Sequence, residues 1–225
     1  MKTIIQTLTN NLRNSIEFYR KLKFNIISPE NPTIVSDGKA FIEINPDRYA
    51  RAGIKLYRST WKETIAELKP LFSVVETAEG YLLSDTSGMW IYLIETQDHF
   101  DLQVLESSNS ALGNYVGISL ETPELNRSEK MWTTLGFEQD NPKWPSFTNS
   151  DQVTLTIYKP NTCPHLFFNP SLTYFNGTDN LQIIEFIREQ NIPITEEITH
   201  FNPNDKVDNI IIRDPGGLGF FIFND

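Results

Sequence analysis

Arg213–Asp225 reads RDPGGLGFFIFND, and Ser84–Thr96 reads SDTSGMWIYLIET. In both, an Asp is followed by a Gly-containing turn and an apolar strand. Gly supplies the positive φ that a tight turn into such a strand needs, so the phrase marks the last hairpin of a structural unit. Written twice, it predicts an internal repeat. Working outward, SIEFYRKLKF from Ser15 returns as SEKMWTTLGF from Ser128, keeping Ser, two large apolar or aromatic residues, Leu and Phe in register. DGKAFIEINP from Asp37 aligns without a gap on DQVTLTIYKP from Asp151, each closing on a proline, Pro46 and Pro160.

Each half divides again. Leu12, Ile16, Tyr19 and Leu22 fall at helical spacing behind Asn10 and Asn11, which can cap a helix. The runs FNIIS, TIVSD and AFIEI then read as strands separated by Pro, Asn and Gly. The same order of strand, helix and three strands recurs from GIKLYR, from YVGISLE and from SLTYFNG. The fold class expected is α+β, with four βαβββ units.

The 225 residues are 39% hydrophobic, enough to build a packed core and too apolar for disorder. Nineteen Lys and Arg against 29 Asp and Glu leave a net charge of -10, the wrong sign for a chain drawing affinity from phosphates, so no nucleic acid partner is expected. MKTIIQTLTN lacks an apolar core for a signal peptide and no run approaches a bilayer span, which predicts a cytoplasmic protein without a membrane partner. A single cysteine, Cys163, excludes an internal disulfide and reads as a buried or half-buried filler. The sequons at Asn126 and Asn176 are chance matches if the chain is not secreted.

On the phrases at Ser15 and Ser128 and the Asp-Gly turns at Asp85 and Asp214, the chain resembles the vicinal oxygen chelate superfamily, which includes glyoxalase I, bleomycin resistance proteins, extradiol dioxygenases and methylmalonyl-CoA epimerase. The resemblance implies that paired units close into half-open eight-stranded barrels around a ligand cavity. It therefore implies two glyoxalase-like half-barrel domains, residues 1–105 and 110–225. Because the four units supply the pairing that shorter members reach by dimerising, a monomer is expected.

The resemblance also implies where a divalent metal would sit, on His, Gln and Glu from the first and last strands of paired units. The first-strand slots fall on Ile4, near Ala52, near Val116 or Gly117, and near Leu172. The last-strand slots fall on Glu43, Tyr92, Ile157 and Phe221. Glu43 alone keeps a carboxylate, so no metal site and no cofactor are expected, with a divalent metal on displaced ligands as the alternative.

Glu43 is the candidate catalytic group: a Glu among apolar neighbours could act as a base, or it could sit on a solvated edge or be paired with a nearby Arg. Gln6 points to the same side of its strand as Ile4 and could donate to a ligand. Tyr92, Tyr158 and Tyr174 are candidate ligand-binding phenols, or core residues. Arg48 and Arg51, near Lys55 and Tyr57, could clamp an anion or hold the connector by ion pairs. His99, His165 and His200 lack metal-binding spacing. CPHLFFNP and DNPKWPSF could rim the second cup or seal the seam between halves.

The function expected is binding of a small organic molecule in one cup, the first, without a catalytic metal. Two alternatives stand beside it: a metal-dependent lyase, isomerase or dioxygenase with displaced ligands, and a structural or interaction protein with filled cups.

Overall fold

The computed structural model describes residues 1–30, 32–97 and 102–225. Four βαβββ units follow one another. The first is β1 (Lys2–Leu8), α1 (Leu12–Lys21), β2 (Asn25–Ser28), β3 (Thr33–Ser36) and β4 (Phe41–Asn45). The second is β5 (Gly53–Arg58), α2 (Lys62–Leu68), β6 (Val75–Thr77), β7 (Gly80–Ser84) and β8 (Trp90–Glu95). The third is β9 (Tyr115–Glu121), α3 (Leu125–Thr134), β10 (Phe137–Asn141), β11 (Trp144–Asn149) and β12 (Thr154–Tyr158). The fourth is β13 (Ser171–Phe175), α4 (Asn180–Glu189), β14 (Ile194–Ile198), β15 (Asn209–Arg213) and β16 (Gly219–Phe223). The Asn11 side chain caps α1 by accepting from the Asn14 amide, one of the two residues expected there.

The units pair into two eight-stranded sheets, β2-β3-β4-β1-β5-β8-β7-β6 and β10-β11-β12-β9-β13-β16-β15-β14. Within each sheet the two units meet antiparallel, β1 on β5 and β9 on β13. Every central strand alternates between the helix-covered core and a cupped face. Ile5, Ile42, Ile54, Ile118, Ile157 and Phe220 enter one continuous core that also takes Tyr19, Leu68, Trp132 and Ile187 from the four helices. Ile4 and Phe41, and likewise Phe221 and Phe223, lie in separate clusters on the opposite, cupped faces of their sheets.

The repeated Asp turn has a role that the turn geometry alone does not require. Gly88 and Gly217 take the positive φ expected, 82° and 98°. The Asp residues reach across the halves. Asp214 accepts from Thr7 (2.8 Å) and from the Tyr19 hydroxyl (2.9 Å) of the first half. Asp85 accepts from Ser128 (2.9 Å) and the Trp132 indole (2.8 Å) of the second. Tyr19 and Trp132 are equivalent positions of the SIEFY and SEKMW phrases, so the two bonds are copies of one contact. Asp37 and Asp151 cross as well, to the Tyr174 hydroxyl (2.7 Å) and to Lys2 (3.1 Å). Gly216 completes the junction, because a Cβ there would lie 1.9 Å from the Leu8 carbonyl oxygen.

Burial pushes the Asp214 carboxyl above its ordinary value, although hydrogen bonds from Thr7, Tyr19 and the turn pull it down. The folded protein thus holds this proton more tightly than the unfolded chain, and the site's contribution falls as pH rises from about 4 through the folded pKa. Asp214→Ala strands two buried hydroxyls and is expected to cost about 2–5 kcal/mol in denaturant unfolding. Asp214→Asn is expected to remove the pH slope, so the stability gap between wild type and this variant should narrow as pH rises from about 4.

Candidate functional site

Among the described residues, the first cup carries a small apolar cluster and a charge pair that is satisfied internally. Ile4, Ile34 and Phe41 pack there against Tyr57 and Leu102. Glu43 is 2% exposed, and both its oxygens lie against the Lys55 ammonium, at 2.7 and 2.8 Å. Asn45 donates to Gln6 (3.0 Å) and to Glu43 (3.3 Å), and the Gln6 amide donates to the Arg51 carbonyl (2.7 Å). Tyr92 closes the set, its ring 5.9 Å from Lys55 and its hydroxyl accepting from the Arg51 amide (3.3 Å). Gln6, Glu43 and Tyr92 therefore lie together, with Lys55 as the partner of Glu43. Burial raises the Tyr57 phenol, with the neighbouring Glu43 charge adding to it.

The arginines do not complete this cup. Arg51 donates to the carbonyls of Tyr49 (3.1 Å) and Ala50 (2.8 Å), and Arg48 stacks on the exposed Tyr49 ring and bonds its hydroxyl. Both hold the connector.

The second cup is open. A cavity of about 610 Å³ lies in it, within the 300–1,000 Å³ usual for small-molecule sites. Its floor is small and hydroxylic: Gly117 and Ser119 of β9, Thr154 and Thr156 of β12, Thr173 of β13 and Ser146 of β11. Its walls are aromatic, from Phe221 and Phe223 of β16, Phe175, Phe167, His165, Tyr158 and Trp144. Strand register explains the contrast between the cups. Gln6 lies opposite Glu43 as Ser119 lies opposite Thr156, and Ile4 faces Lys55 as Gly117 faces Thr173. Ile, Glu and Lys have been replaced by Gly and Thr, which leaves the volume empty. Gly117 cannot be enlarged, since a Cβ would meet the Thr154 carbonyl oxygen at 2.7 Å.

Two slots inferred from the resemblance, and one candidate phenol, move by one residue. Aligning the halves on Asp37 and Asp151 places Ile157 against Glu43, but the strand pairing makes Thr156 the counterpart. Ile157 and Leu172 face the main core, and so does Tyr174, fully buried with its hydroxyl on Asp37. A slip of one residue turns every side chain to the other face. Tyr174 is thus turned away from the second cup, and its neighbours Thr173 and Phe175 line it. Burial, then the Asp37 charge, raises the Tyr174 phenol.

Tyr158 does line the cavity, beside Ser119, in T-shaped contact with Trp144 at 6.3 Å. Burial raises its phenol, and burial also raises the Cys163 thiol next to it, so neither is poised to ionise. The segments CPHLFFNP and DNPKWPSF supply Cys163, His165, Phe167, Trp144 and Ser146, which makes them walls of the second cup. His165 packs edge to face on Phe221 (5.0 Å) and Phe223 (5.1 Å). His200 lies against Phe201, and His99 falls outside the described residues. The hydroxyl floor had a signal in the sequence: YVGISLE, TLTIY and SLTYF each place small or hydroxylic residues at alternate positions.

A divalent metal does not fit the strand positions that the resemblance implies. In the second cup they carry Gly, Ser, Thr and Phe; in the first, the one carboxylate is already bonded to an ammonium. Among the described residues no three His, Cys, Asp or Glu side chains cluster as a metal site. No helix among them is long and apolar enough to cross a membrane.

No protein-family model matches the sequence, and no curated protein matches it. Solved structures do match in shape. Homoprotocatechuate 2,3-dioxygenase from Arthrobacter globiformis superposes with a TM-score of 0.59 at 14% identity, over 97% of this chain and 78% of that one. The 2,3-dioxygenase LapB from a Pseudomonas species gives 0.55 at 16%, over 97% and 89%. A variant of 4-hydroxymandelate synthase from Streptomyces coelicolor gives 0.54 at 10%, over 97% and 90%. The likeness is one of fold: the chain shares the α+β architecture of two eight-stranded sheets with these proteins.

If Lys55 is what permits a buried Glu43, Lys55→Met should cost about 3–5 kcal/mol in denaturant unfolding, because it leaves a carboxylate without a counter-charge. Adding Glu43→Gln should recover most of that loss. Equal stability of the single and double variants would show that the pair is not coupled.

Proposed function

We propose that this chain binds a small organic molecule in its second cup and needs no metal to do so. The supporting observation is the cavity of about 610 Å³ between Trp144 and Phe221, floored by hydroxyls and walled by aromatic rings. Such a site buries apolar surface and offers a few polar groups to orient a ligand, which is the pattern of small-molecule pockets. Glu43, Gln6 and Tyr92 act as a structural core in this reading, since each already has an intramolecular partner. The protein works as a binder, and the dioxygenase chemistry named for its structural neighbours has only the shared fold in its favour.

A thermal-shift screen of small organic molecules run in excess chelator tests this. A ligand held at one hundred times its Kd should add about 2.7 kcal/mol to stability. Thr156→Leu, which fills the floor without touching the core face, is expected to abolish the shift while leaving the unliganded midpoint within a few degrees. Shifts that require added Fe(II), Mn or Zn, or that survive Thr156→Leu and vanish in Glu43→Gln, would overturn the proposal.

A further inference from the structure

The second cup also limits the charge of what it can hold. Among the described residues no Lys or Arg lines the cavity, so an anion entering it would lose water and gain no counter-charge from them. The acidic side is represented by the Asp225 carboxylate, which lies at the cavity, and by Glu121, close enough to raise the Cys163 thiol. His165 stands at the cavity with its Nδ1 2.8 Å from the Leu166 carbonyl oxygen, and because a carbonyl only accepts, Nδ1 carries a proton. The floor hydroxyls Ser119 and Thr173 are bonded to each other at 2.7 Å, which uses one of their two O–H groups and leaves a lone pair on each oxygen. Aromatic rings attract cations through their electron-rich faces, and the net charge of -10 draws cations towards the protein.

We propose, resting on the second cup as the binding site, that its occupant is a flat aromatic molecule that carries a cationic N–H group and no anionic group. The ring system packs against Trp144, Tyr158 and Phe221. The charged N–H edge points to the acceptors, the hydroxyl floor within and Asp225 at the mouth. An aromatic carboxylate of the same shape is excluded by the lack of a base, not by size.

A matched series separates shape from charge: 2-naphthamidine, 2-naphthamide and 2-naphthoate, titrated calorimetrically into the whole chain at physiological salt. The expected order is amidine, amide, carboxylate, with the amidine at least tenfold tighter than the amide and at least a hundredfold tighter than the carboxylate. Asp225→Asn should reduce the amidine-to-amide ratio several-fold. Thr156→Leu should abolish amidine binding. A carboxylate that binds as tightly as the amidine overturns the charge assignment. An amidine preference that persists in Thr156→Leu overturns it too, since general attraction to an acidic surface would then explain the order. If none of the three binds, the ligand class is wrong. Binding of any other screened molecule that Thr156→Leu abolishes would still uphold the second cup as the site.

Discussion

The structure depends on four aspartates that each bond to the opposite half of the chain. Asp85 and Asp214 are the most demanding pair, both nearly inaccessible to water and both held by an aromatic donor from the other half's first helix. A buried carboxylate is costly unless its lone pairs are filled, so each turn specifies its docking partner as well as its hairpin. Two half-barrels that might otherwise slide on an apolar face are locked in one arrangement. The shared core containing Tyr19, Trp132 and Phe220 then forms behind these locks.

Placing the junction on the helical side frees the cupped faces, which have diverged without disturbing it. In the first cup, Lys55 and Glu43 neutralise each other and Ile4, Ile34 and Phe41 pack beside them. In the second, the matching positions hold Gly117, Thr156 and Thr173, and a cavity remains. The same backbone therefore carries an internally paired charge on one cupped face and a cavity on the other. The difference lies in a handful of side chains at equivalent register positions.

The α+β architecture was legible because repeats of strand and helix period constrain a fold more tightly than any one element does. Asn11 as a cap and Gly88 and Gly217 as positive-φ residues followed from local rules. The cup-facing side chains were less legible, for two physical reasons. An isolated carboxylate in a strand attracts attention as a reactive group, yet Glu43 meets Lys55 only through the pairing of β1 with both β4 and β5, which no local pattern displays. The second error was register: matching Asp37 to Asp151 slips the strand by one residue and hides Thr156 behind Ile157. The alternating small residues of β9, β12 and β13 were visible, but small residues report a cavity only once it is known that nothing larger fills the space above them. The role of the repeated Asp was beyond local reading, since its partners lie in the other half.

The central claim is that the first cup is closed by its own side chains and the second is open to a ligand. Crystals soaked with a set of small aromatic fragments test it most directly, because they report position whether or not the natural ligand is identified. The account predicts fragments clustered between Trp144 and Phe221, above Thr156 and Thr173, with the Lys55 ammonium still on Glu43. Fragments in the first cup that displace Lys55 from Glu43, with the second cup empty, would contradict it.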